Sequence, residues 1–387
     1  MPRFDFFPTP RIVFGRGRVA EIGPVARSLG RRALLVYNGD EPGAGGPVDR
    51  VAALLREASV ETTLFRQRGE PRVADVERAV AAAREAGCDV LVALGGGSAI
   101  DCGKAIAGVV ANGGSPLDYM EVIGRGRPLT RAALPWVAVP TTAGTGAEVT
   151  RNAVVGEPAR KFKASLRSEL LLPRVALVDP ELGKGVPPAV TAASGMDALC
   201  QLIESYTSSG AGPMTDALAL KGIALVADAL PRAYRDGGDL DAREAMALAA
   251  LLSGITLTNA GLGAVHGFAA PLGANFPAPH GVVCAALLPH VIGANVAALR
   301  ARSPDHPTLG RYATIGRLVG VSPDLDAARR VTADLARDLH VPRLGEFGVT
   351  EADVAPMVAL AKKASSMRFN PVVLPDDVLA EVLRAAL

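Results

Sequence analysis

The chain has 387 residues, enough for two domains and a large buried core, and its 49% hydrophobic and 21% charged residues match an ordinary globular enzyme. A formal net charge of +2 excludes bulk attraction to nucleic acid or an anionic membrane, and 4% aromatic residues argue against a base-stacking platform. No uninterrupted apolar run reaches the roughly 18–20 residues of a membrane span, and the four cysteines (Cys88, Cys102, Cys200, Cys284) lack CxxC spacing, so a cytoplasmic protein with reduced thiols is expected.

In chain order, residues 1–8 carry Asp5 and two prolines where a signal peptide needs an apolar core. Residues 32–37 read as a buried strand, 48–58 as an amphipathic helix, 61–65 as a short strand and 73–86 as an alanine-rich, charged helix. The apolar run 89–94 is the next strand, and a helix follows from 98 to 110. Strands over 136–139 and 174–179 complete the series, with surface connections at 38–47 and 122–131. Strands alternating with helices imply a mainly parallel, doubly wound sheet. After Pro180 strand signals nearly vanish, and helices are expected over 190–206, 213–230, 240–257, 284–298, 309–318, 324–339 and 351–364. The predicted organisation is therefore an α/β domain over 1–180 and an all-helical domain over 181–387.

Two loops carry the chemistry of the first domain. Gly95-Gly96-Gly97-Ser98-Ala99-Ile100-Asp101 joins a strand directly to a helix. Glycines let backbone N–H groups approach an anion, and the helix N-terminus adds unsatisfied donors and a favourable dipole. The pattern is neither GxGxxG nor Walker A. The second loop, Thr141-Thr142-Ala143-Gly144-Thr145-Gly146, follows the 136–139 strand and offers the hydroxyls of Thr141, Thr142 and Thr145 to phosphate or ribose. Together they suggest one phosphate-bearing ligand at the carboxyl edge of a parallel sheet.

The helical domain carries a polar constellation. Asp197 and Gln201 are four apart and share one helix face. His266 and His280 are two of five histidines, and Pro271, Gly273, Pro277 and Pro279 between them rule out one continuous helix. The imidazoles therefore come from different elements and could converge on one point. Spacing alone leaves open whether they bind metal or are hydrogen-bonded core residues.

The two loops, the Gly195-Met196-Asp197-Ala198-Leu199 helix, the Val265-His266-Gly267 segment and the Pro279-His280-Gly281 segment occur in the order found in iron-containing, or group III, alcohol dehydrogenases. The resemblance runs from Ile12-Val13-Phe14-Gly15 to Asn370-Pro371. It implies a nucleotide-binding α/β domain, a helical domain, an active site in the cleft between them, and NAD(P)-dependent interconversion of an alcohol and an aldehyde or ketone. The family's phosphate loop falls on Gly96, Gly97 and Ser98, with Asp101 on the same turn. Its second loop falls on Thr141, Thr142 and Thr145, and a family lysine on Lys163. The position that discriminates NAD from NADP falls on Asn38. Asp40 is a substitute acid if its loop folds inward, and the expectation leans to NAD with NADP still open.

The family's metal ligands, one aspartate and three histidines, fall on Asp197, Gln201, His266 and His280; a further family histidine falls on Ala270. Glutamine offers only a neutral amide oxygen, a weak ligand for Fe or Zn. Three outcomes are open: a divalent metal held less tightly, a metal-free site in which His266 or His280 donates the proton, or a non-catalytic nucleotide-binding homologue. A metal-free carbonyl reductase resembling maleylacetate reductase is a further alternative, disfavoured by the Thr-Ala-Gly-Thr-Gly sequence at 142–146. Expected partners are a small alcohol or aldehyde, with homo-oligomerisation left open.

Overall fold

A computed structural model describes residues 4–320 and 324–387; the first three residues of the N-terminal segment considered above lie outside the described residues. The chain clusters into two compact units. One comprises residues 8–142 and 146–184, the other residues 185–387 with 143–145 and the N-terminal segment up to Phe7.

The α/β unit runs β1 (Arg11–Phe14), α1 (Ile22–Leu29), β2 (Arg32–Tyr37), α2 (Pro47–Glu57), β3 (Glu61–Arg66), α3 (Val73–Glu85), β4 (Val90–Gly95), α4 (Gly97–Asn112), the single turn α5 (Pro116–Tyr119), β5 (Trp136–Pro140), β6 (Asn152–Glu157), β7 (Phe162–Arg167) and β8 (Val175–Val178). Six strands form one sheet in the order β1-β8-β5-β4-β2-β3, and every ladder in it is parallel. The central strands are apolar on both faces because both faces are covered. Ala33, Leu35, Tyr37, Val90, Val92 and Leu94 pack with α1 and α2, while Leu34, Val36, Leu91 and Ala93 pack with α3 and α4. β2 pairs with both β3 and β4, so the chain reverses direction across the sheet between β2 and β4. The carboxyl ends of these strands flank a topological switch point, where open α/β sheets bind ligands.

Two features of this unit differ from expectation. β6 and β7 form a separate antiparallel hairpin, and a short edge strand, β1, pairs with β8. The first is hidden in the sequence by its mixed polar pattern and Gly156; the second is only four residues long.

The second unit contains α6 (Pro188–Thr207), α7 (Pro213–Arg235), α8 (Leu240–Ala260), α9 (Ala264–Asn275), α10 (His280–Arg302), α11 (Pro307–Val319), α12 (Ala327–Asp338), α13 (Glu351–Ala361) and α14 (Asp376–Ala385). Its core is continuous, with Leu199, Leu202 and Ile203 of α6 meeting Ile223, Val226 and Leu230 of α7 and Val283, Leu287 and Ile292 of α10. By length and composition helix α10 is apolar enough to cross a membrane, although His290 and Asn295 interrupt its apolar run and 67% of its apolar window is buried inside the fold. α8 and α9 pass the same test only as a pair bent by 103°. The polar break in α10, Asn295, is satisfied internally, donating to Tyr312 Oη at 3.1 Å.

Candidate functional site

Within the α/β unit, the glycine run occupies the carboxyl end of β4. Gly95 has φ +147°, a conformation that L side chains rarely adopt, and a Cβ there would overlap the Asn38 amide and lie 2.8 Å from Ala99 Cβ. Gly96 caps α4 without a side chain, so no side-chain cap hydrogen bond is made at the first turn of the helix. The Gly96 N–H donates to Asn38 Oδ1 at 3.2 Å, tying the β2 and β4 ends together. A Cβ on Gly96 would meet Thr142 Oγ1 at 3.1 Å, and Thr141 N–H donates to Gly95 O at 3.0 Å, so the two predicted loops are neighbours. Gly97 and Ser98 form the first residues of α4.

Beside the switch point lies a cavity of about 410 Å³ lined by Asn38, Gly39, Arg66, Gln67, Arg68 and Gly69. Buried Gln67 shapes its wall by donating from Nε2 to Arg68 O at 3.2 Å and accepting from Cys102 Sγ at 3.1 Å. Asp40 is exposed and does not line this cavity. The nearby acid is Glu41, which pairs with Arg66 and, at 3.3 Å, with Arg68. Lys163, on β7, pairs with Glu70 in the segment that follows the cavity wall.

Asp101 is committed within the protein. Its Oδ2 accepts from Val154 N–H at 3.1 Å and its Oδ1 lies 3.5 Å from Lys104 Nζ. Lys104 is fully buried and donates to Ala147 O, Thr150 Oγ1 and Asn152 O at 2.7–2.8 Å, anchoring the chain that leaves the threonine loop. Glu148, on the same stretch, has its carboxyl pushed up to about 7 by burial. Thr145 belongs by clustering to the helical unit, with Ala143 and Gly144.

In the helical unit, one face of α6 presents Asp197, Cys200, Gln201 and Glu204, spaced one turn apart. His266 is the third residue of α9 and His280 the first of α10. Asp197 Oδ1 lies 3.3 Å from His266 Nε2 and 3.7 Å from His280 Nε2. Asp197 is 2% exposed and its Oδ1 has no hydrogen-bond partner. Burial opposes its ionisation, but His280 and His266 outweigh that and hold its carboxyl below the usual range.

Sequence reasoning missed three residues here. Cys284, one turn beyond His280 on α10, has its Sγ 3.7 Å from Nε2 of both histidines, and these atoms with the Asp197 carboxylate all lie within 4.8 Å of one another. Glu204 Oε2 lies 2.7 Å from His266 Nδ1, which places the proton on Nδ1 and leaves the Nε2 lone pair facing Asp197. Glu204 also accepts from Val265 N–H at 2.8 Å, capping the start of α9. Ser253 donates to Gln201 Oε1 at 2.7 Å. The signal for Cys284 and Glu204 was the four-residue spacing from His280 and Cys200. Gln201 is placed differently from the expectation, because its amide oxygen is taken by Ser253 while its Nε2 faces Asp197 Oδ2 at 3.5 Å.

Residues 8–180 match the family described as iron-containing alcohol dehydrogenase, and residues 191–387 match its C-terminal family. The chain belongs to the iron-containing alcohol dehydrogenase family. It is 36% identical to the NAD-dependent methanol dehydrogenase of Bacillus methanolicus over 99% of this chain and 100% of that protein. Its identity to the 1,3-propanediol dehydrogenase of Klebsiella pneumoniae is 38%, over 99% of this chain and 98% of the other. Among solved structures, a 1,3-propanediol oxidoreductase superposes with a TM-score of 0.91 at 37% identity, covering 100% of both chains. Sulfoacetaldehyde reductase from Bifidobacterium kashiwanohense, in complex with NAD+, does so with a TM-score of 0.87 at 30% identity, covering 100% of this chain and 99% of that one. The family member described here is an NAD(P)-dependent oxidoreductase acting on CH–OH groups.

Proposed function

We propose that the chain interconverts a small alcohol and its aldehyde or ketone with NAD, using Asp197, His266 and His280 to hold a divalent metal. The observation that carries the metal is Asp197 Oδ1, buried without a hydrogen bond between two imidazole Nε2 atoms. A buried carboxylate oxygen left unpaired is costly unless a cation completes it. The donor types, one carboxylate and two neutral imidazoles, suit Zn or Fe. Such a metal, when bound, supplies Lewis-acid polarisation of the substrate oxygen.

The chain's own residues do the rest. Gly96, Gly97 and Ser98 at the start of α4 receive the pyrophosphate, Thr141 and Thr142 stand beside them, and the Asn38–Gly69 cavity receives the adenosine end. Lys163 is held near that wall through Glu70, while Asp101 acts through Lys104 to position the threonine-loop exit. Glu41 pairs with both Arg66 and Arg68 and offsets one of their two positive charges, which weakens their pull on the 2′-phosphate of NADP and supports NAD. Glu204 fixes the His266 tautomer, and Asp197 supplies the negative charge. In the oxidising direction a hydride leaves the carbinol carbon for nicotinamide C4 and the hydroxyl proton passes to solvent, with half-exposed His280 nearest that route. Four free thiols support a cytoplasmic setting.

The test is NAD(H)-linked turnover of a panel of small alcohols and aldehydes, before and after exhaustive chelation and after adding back Zn²⁺ or Fe²⁺. Activity lost and restored with metal is the expected result. Full activity in metal-free protein overturns the metal assignment and returns His266 and His280 as proton donors.

A further inference from the structure

Gln201 stands where the family carries the first of its three ligand histidines, and its amide oxygen is engaged by Ser253. A different side chain meets the other three donors: Cys284, fully buried, on the same face of α10 as His280. We propose that the Cys284 thiolate is the fourth metal donor of this protein, giving an Asp197/His266/His280/Cys284 set that selects zinc over iron. The proposal rests on the metal-assisted reading above and adds the identity of the fourth donor and of the metal.

Geometry carries it. With ordinary zinc bond lengths, the edges of a tetrahedral site are about 3.4 Å for nitrogen–oxygen pairs and about 3.6 Å for nitrogen–sulfur pairs. The observed nitrogen–oxygen separations are 3.3 and 3.7 Å, and both nitrogen–sulfur separations are 3.7 Å. A thiol acting only as a core hydrogen-bond donor has one proton and needs one partner, yet this sulfur is equidistant from two imidazole nitrogens. Gln201 and Ser253 then form the outer support, with the Gln201 amide facing Asp197 Oδ2.

The chemistry follows from the exchange of ligand. Metal binding replaces the Cys284 S–H bond with a sulfur–metal bond and releases one proton to solvent. One thiolate and one carboxylate neutralise a divalent cation, whereas an Asp/His/His/His set leaves one positive charge. A soft thiolate favours zinc over ferrous iron, in the same sense as the general affinity order.

The experiment uses the full chain stripped of metal by chelation and reloaded with Co²⁺ as a spectroscopic probe and with Zn²⁺. A thiolate-to-cobalt charge-transfer band in the near ultraviolet is expected in the wild type. It should disappear in Cys284→Ser and persist in Cys200→Ser and Gln201→Ala. Zinc affinity should fall at least about 100-fold in Cys284→Ser, and the proton released on zinc binding should be lost. Cobalt bound without the band, or a band that vanishes with Cys200 instead, overturns Cys284 as donor while leaving a metal site in place. Failure of the wild type to bind either cation overturns both the donor and the metal-assisted reading. The wild-type band and the Cys200 and Gln201 variants decide the matter even if Cys284→Ser does not fold.

Discussion

Replacing Gly281 by alanine tests how closely the helices carrying the donors must be set. A Cβ at Gly281 would lie 2.6 Å from the carbonyl carbon of Ala193 and closer still to its oxygen. Both atoms belong to the backbone of α6, so no rotamer change relieves the overlap. Restoring ordinary contact between carbon atoms requires α10 to move by about 1 Å. Gly281 adjoins His280 and lies three residues before Cys284, so both donors move with it. Metal sites tolerate only about 0.2 Å in their donor distances, and a misplacement of about 1 Å near the reacting atoms costs roughly 10²-fold in rate. The expected result is a fall in kcat/KM of about 100-fold, about 2.7 kcal/mol, with a matching loss of zinc affinity. Gly23→Ala is the control: its Cβ would lie 2.5 Å from Leu54 O, between α1 and α2. It should lower stability and leave zinc affinity unchanged. The assay is calorimetric zinc titration of chelated protein, with steady-state kinetics and far-ultraviolet circular dichroism. A folded Gly281→Ala protein that binds zinc and turns over as the wild type does would refute the reasoning.

Gly95→Ala places a Cβ 2.8 Å from Ala99 Cβ in a backbone with φ +147°, and NADH affinity should drop more than about tenfold, about 1.4 kcal/mol. An unchanged fluorescence titration in folded protein sinks the phosphate-loop assignment. Lys104→Met removes the cation beside Asp101 and the donor to three acceptors, and the full chain should lose about 3–5 kcal/mol in urea unfolding; a shift within error means that the cluster is not structural. Glu148 titrates near 7 in the folded chain because burial disfavours its charge, against 4.5 for the ordinary carboxyl. The folded state therefore binds the extra proton, and this group's stabilisation is complete below pH about 4.5 and is lost as pH rises through about 7. Glu148→Gln should gain on the wild type by roughly 2–3 kcal/mol between pH 5 and pH 8, and parallel pH profiles would contradict the assignment.

The sheet was legible because both of its faces are covered: runs such as Leu34 to Val36 and Val90 to Leu94 have no polar interruption to obscure them. The glycine run was legible as a strand-to-helix junction, since Gly95 ends β4 and Gly97 opens α4. The β6–β7 hairpin was not, because Asn152, Glu157, Lys163 and Arg167 break the apolar pattern of half-exposed strands. Pro271 and Pro289 lie inside α9 and α10, where packing overrides the local penalty, so the reach of those helices could not be read from proline positions. His266 and His280 could be named from the sequence, but Cys284 could not be weighed until α10 began at His280 and brought residues one turn apart to the same point.

Glu204 joins two tasks in one carboxylate: it closes the N-terminal turn of α9 and orients the imidazole that faces Asp197. Anything that strengthens one task strengthens the other. Metal loading should slow amide exchange at the start of α9, and fraying of that turn should release metal, with the same free energy in both directions. The helix end thus serves as a latch whose hold depends on what the neighbouring histidine has caught.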